Sequence, residues 1–79
     1  MKRDLISPNN VVPYLRDMGY NYFCNERGEL VYLGNFETLS FFHYHTMREN
    51  WYFWLEDDKL WSESICGFMI VFPLRKSIA

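Results

Sequence analysis

Tyr20-Asn21-Tyr22-Phe23-Cys24, then Asn25-Glu26-Arg27-Gly28, then Glu29-Leu30-Val31-Tyr32-Leu33 is the stretch on which the fold turns. Two runs rich in aromatic and β-branched side chains, which suit a pleated half-buried surface, flank four polar residues. The last of the four, Gly28, reaches positive φ without steric cost and so can close a four-residue loop. The stretch predicts an antiparallel hairpin, ended by Gly34 and Asn35.

Upstream of the hairpin, Val11, Tyr14, Leu15 and Met18 recur at three- and four-residue spacing and predict one apolar helix face. Asn10 stands where an N-cap belongs, and Pro13 falls in the first turn, where amides lack intrahelical partners. Gly19 occupies the C′ position, and Arg16 and Asp17 are expected to face water. A helix of about two turns is marginal alone and needs a sheet to lie on.

Downstream, residues 36–47 carry two competing periods. Phe36, Leu39, His43 and Met47 fit a helix, but the alternation of Leu39, Phe41, His43 and His45 with their neighbours, and the aromatic and Thr content, favour a strand. Arg48-Glu49-Asn50 reads as a turn, Trp51-Tyr52-Phe53-Trp54-Leu55 as a strand and Glu56-Asp57-Asp58-Lys59 as a solvated turn. Leu60-Trp61 resumes, Ser62-Glu63-Ser64 is polar, and residues 65–72 read as a central strand covered on both faces. Within that run Gly67 is expected to mark a bulge or a close helix approach. The predicted architecture is α+β: one short N-terminal helix packed on a four- or five-stranded antiparallel sheet. A single domain is expected over residues 1–79, with loose tails at 1–6 and 75–79.

Composition agrees with a small autonomous core. At 79 residues the chain hides roughly two-thirds of its unfolded surface on folding, which leaves no room for a large enclosed cofactor cavity. With 49% hydrophobic and 23% charged residues it is not a disordered segment. Seven Phe, six Tyr and three Trp make 20% of the chain, and each ring wants roughly 150–250 Å² of cover. One thin core cannot hide them all, so some rings are expected at the surface, where Trp and Tyr dominate binding hot spots. Large rings also give an undersized domain more burial per ordered residue, which explains part of the count without any partner.

Lys2 and Arg3 are followed by Asp4, Asn9, Asn10 and Pro13 rather than by the apolar core of a secretory leader. The uncharged stretch 64–74 is about half the ~20 residues a bilayer span needs. Cys24 and Cys66 are expected to be free thiols of a cytoplasmic protein with no membrane segment.

Catalytic and metal chemistry finds little to build on. His43 and His45 share a strand face, and with Cys24 and Cys66 they make four nominal zinc ligands, but their spacing matches no paired-ligand pattern. Cys66, between Ile65 and Phe68, is expected in an apolar setting that disfavours a reactive thiolate. Ser62 and Ser64 flank Glu63, whose side chain would point to the opposite strand face. No glycine-rich phosphate loop is present. The expectation is a non-enzyme with no metal and no cofactor.

Glu49, Glu56, Asp57, Asp58 and Glu63 are five of the ten acidic residues, crowded into fifteen positions beside Trp51, Trp54 and Trp61. Three consecutive acids most often form a solvated turn. The sharper reading is a docking face of Tyr52, Trp54, Glu56, Asp57, Asp58 and Trp61, in which charge selects and steers a partner while rings supply the energy. Strand alternation would turn Trp51, Phe53 and Leu55 to the core and leave Tyr52 and Trp54 outward, so that Trp54→Ala leaves folding intact. The expected partner is another protein with a basic or apolar docking surface. Nucleic acid is disfavoured, because a formal charge of -2 offers no cationic track for phosphate. The functional expectation is thus a small accessory or inhibitor protein, of the kind phages and mobile elements carry. A nucleic-acid-binding module with an aromatic sheet face and a structural homodimer are the alternatives.

Overall fold

A computed structural model describes residues 4–34 and 51–77. The predicted hairpin is present, as β2 (Tyr22–Cys24) and β3 (Leu30–Tyr32), with Phe23 opposite Val31. Its loop is held by Asn25 as well as by Gly28. The Asn25 side-chain oxygen accepts from the Arg27 and Glu29 amides at 2.9 Å each, and the Gly28 amide donates to the Asn25 carbonyl at 3.0 Å. Gly28 takes φ +81°, and the Asn25 amide closes the loop onto the Glu29 carbonyl at 2.9 Å.

The helix α1 (Val11–Asp17) follows a 3₁₀ turn at Pro8–Asn10. Asn10 precedes the helix but makes no side-chain capping bond. The buried stripe is Val11, Val12 and Leu15, whereas Tyr14 and Met18, expected on that face, are exposed. The stripe is set by the exit from the helix: the Tyr20 amide reaches back to the Leu15 carbonyl and the Gly19 amide to that of Arg16, both at 3.0 Å. This Schellman arrangement brings Tyr20 and Leu15 into the same core.

Among the described residues six strands, not four or five, form the antiparallel sheet. They are β1 (Leu5–Ile6), β2, β3, β4 (Trp51–Glu56), β5 (Lys59–Ser64) and β6 (Met69–Arg75), in the order β1-β4-β5-β6-β2-β3. The additional strand comes from the stretch expected to be a loose tail. Leu5 and Ile6 pair with Trp54 and Phe53, and the buried Ile6 joins the core. At the other end the expected tail is also engaged, since the Lys76 carbonyl accepts the Asn21 side-chain amide at 2.9 Å.

The run 65–72 is not one strand. Residues 65–68 form a turn, with Gly67 at φ +95°, and the strand begins only at Met69. The polar Ser62-Glu63-Ser64, expected to interrupt β structure, belongs to β5 instead. Ser62 and Ser64 are buried on its core side, and each hydroxyl is satisfied: Ser62 Oγ donates to the Ile70 carbonyl at 2.8 Å, and Ser64 Oγ accepts the Phe68 amide at 3.0 Å. A buried hydroxyl with a partner carries little penalty, so serine can hold a core-facing position.

The core lies on the α1 side of the sheet, where Val11, Leu15, Phe23, Phe53, Leu60 and Phe72 meet. Phe23 and Phe72 pack edge to face, 5.6 Å between centroids. The expectation for residues 36–47, with His43 and His45, lies outside the described residues.

Gly28→Val and Gly67→Val are each expected to lower stability by about 1–2 kcal/mol, because a β-branched residue resists positive φ. Chemical denaturation of the two variants checks this; an unchanged midpoint in either would count against that turn.

Candidate functional site

The registers place Tyr52, Trp54, Glu56 and Trp61 on the sheet face opposite α1, as strand alternation predicts. Side, however, is not the same as exposure. Tyr52 is 45% exposed, beside Glu63 in register, but Trp54 is only 4% exposed. Trp54 sits between Leu5 and Trp61 across the strands, and its ring stacks on Trp61 with centroids 6.1 Å apart and planes within 12°. The expectation of an outward Trp54 anchor is therefore corrected. Its partner Trp61 is half-buried, and its indole N–H donates to the Glu56 carbonyl at 3.0 Å. The core side holds as expected, with Phe53 buried and Trp51 and Leu55 packed against the cluster.

The acidic turn is more specialised than a solvated run. Glu56 and Lys59 face each other in register, and Asp57 and Asp58 form the two-residue connection with φ of 54° and 57°. Two successive left-handed residues are what a tight hairpin with right-handed strand twist requires, and Asp tolerates that region better than most. The Tyr20 hydroxyl donates to the Asp58 carboxylate, and the Leu74 amide to the Asp58 carbonyl at 3.0 Å. The hydrogen bond to Asp58, then burial, then the Asp58 charge push the Tyr20 phenol up to about 12. Asp58 thus ties the helix exit and β6 to the β4–β5 turn, although it is exposed like Glu56 and Asp57.

Among the described residues the two most exposed large apolar side chains, Phe68 and Ile65, lie elsewhere, at the β5–β6 turn. Ile65 is 65%, Phe68 68% and Met69 48% exposed, and Cys66 between them is an exposed free thiol rather than one in an apolar setting. This turn repeats three hydrogen bonds of the β2–β3 loop. The Ser64 amide donates to the Phe68 carbonyl at 2.8 Å and the Gly67 amide to the Ser64 carbonyl at 3.0 Å, and the Ser64 side-chain oxygen receives the Phe68 amide. Asn25-Glu26-Arg27-Gly28-Glu29 and Ser64-Ile65-Cys66-Gly67-Phe68 are the same backbone structure with opposite surfaces. The sequence signal was available: a side-chain acceptor followed three residues later by Gly marks both turns. The apolar content of residues 65–72 hid the second one.

Among the described residues no group of three or more His, Cys, Asp and Glu side chains could hold a metal ion. Cys24 is half-buried on β2 and, like Cys66, is free. No helix among the described residues is long and apolar enough to cross a membrane. No family model, curated protein or solved structure matches the chain.

Trp54→Ala is expected to destabilise the fold by about 3–5 kcal/mol, the range for truncating a buried Trp, and a melting temperature near that of the parent would return Trp54 to the surface. The raised Tyr20 phenol gives a second test. The unfolded chain releases this proton near pH 10 and the folded one near 12, so stability is full below 10 and falls as pH rises toward 12. Denaturation at stepped pH should show Tyr20→Phe losing less stability across that window than the parent does. Equal losses would detach Tyr20 from Asp58.

Proposed function

We propose that this chain is a small non-catalytic protein-binding module, an accessory or inhibitor protein that docks through exposed rings and apolar side chains. The observation that carries the reading is the contrast between the two matching turns. In the β2–β3 loop the equivalent positions hold Glu26, Arg27 and Glu29, which satisfy the same backbone geometry and keep the loop solvated. The turn itself therefore does not require Ile65, Cys66 or Phe68, and folding gains little from side chains left in water. Apolar side chains held out at a convex tip, where the fold accepts polar ones, suit contact with another molecule.

The exposed members of the acidic and aromatic set, Tyr52, Glu56, Asp57 and Asp58, extend the proposal beyond that turn. There they would steer association while apolar side chains hold the complex. A cytoplasmic setting belongs to the same proposal, supported by two free cysteines.

Affinity capture with the full-length chain from nuclease-treated lysate tests the reading. The expected result is a defined set of proteins that is retained after nuclease and lost with Phe68→Ser, a variant that melts like the parent. Loss of the set on nuclease treatment would favour nucleic acid, and a stable dimer by light scattering with no captured protein would favour self-association.

A further inference from the structure

We draw no further inference here: the strongest candidate, the exposed apolar patch of Ile65, Phe68 and Met69 at the β5–β6 turn, carries nothing beyond the docking role already proposed for it, because nothing in the structure shows what covers it.

Discussion

The fold depends on β6 pairing with two separate hairpins. Its first five residues, Met69 to Pro73, pair with β5, and Leu74 and Arg75 pair with β2. The β4–β5 and β2–β3 hairpins come from distant parts of the chain and share no direct strand pairing. β6 joins them, and it does so at Pro73, the one residue in the strand that cannot donate to a ladder. Just past the proline, Leu74 donates to the Asp58 carbonyl while standing opposite Phe23 on β2. The edge-to-face pair of Phe23 and Phe72 seals the same junction from the core side.

Around that junction the chain uses polar groups to hold apolar surface in place. Tyr20 leaves the helix with its ring in the core and its hydroxyl on Asp58, so one residue links α1, the tight acidic turn and the end of β6. Two left-handed aspartates would strain an isolated hairpin, and the bonds from Tyr20 and Leu74 to Asp58 hold the turn in that conformation. Part of the acidity that looks like a docking signal in the sequence is thus structural. Asp58 takes part in the scaffold while still exposed at the surface with Glu56 and Asp57.

The two five-residue turns show how a backbone solution can be separated from the surface it presents. Asn25 and Ser64 do the same work with different side-chain acceptors, and Gly28 and Gly67 take the same left-handed conformation. What differs is the cargo: charged in one, apolar in the other. Among the described residues the shared backbone geometry does not account for that difference, and the proposed docking role rests on it.

Local chemistry determined the elements whose signals are short-range. The β2–β3 hairpin, the helix ending at Gly19, the strand at residues 51–55 and the α+β class were all legible from turn residues and periodicity. Segments whose state depends on distant partners were not. Leu5 and Ile6 form a strand only because β4 offers an edge, and Ser62 and Ser64 enter the interior because Ile70 and Phe68 supply hydrogen-bond partners. Trp54 carries the same lesson for the candidate site. Alternation along β4 assigned it correctly to the face opposite α1, but its cover comes from other strands, from Trp61 on β5 and from Leu5 on β1, which is far away in sequence. Side is a property of the strand's own two-residue period, whereas burial is a property of everything packed above it, and only the tertiary structure decides that.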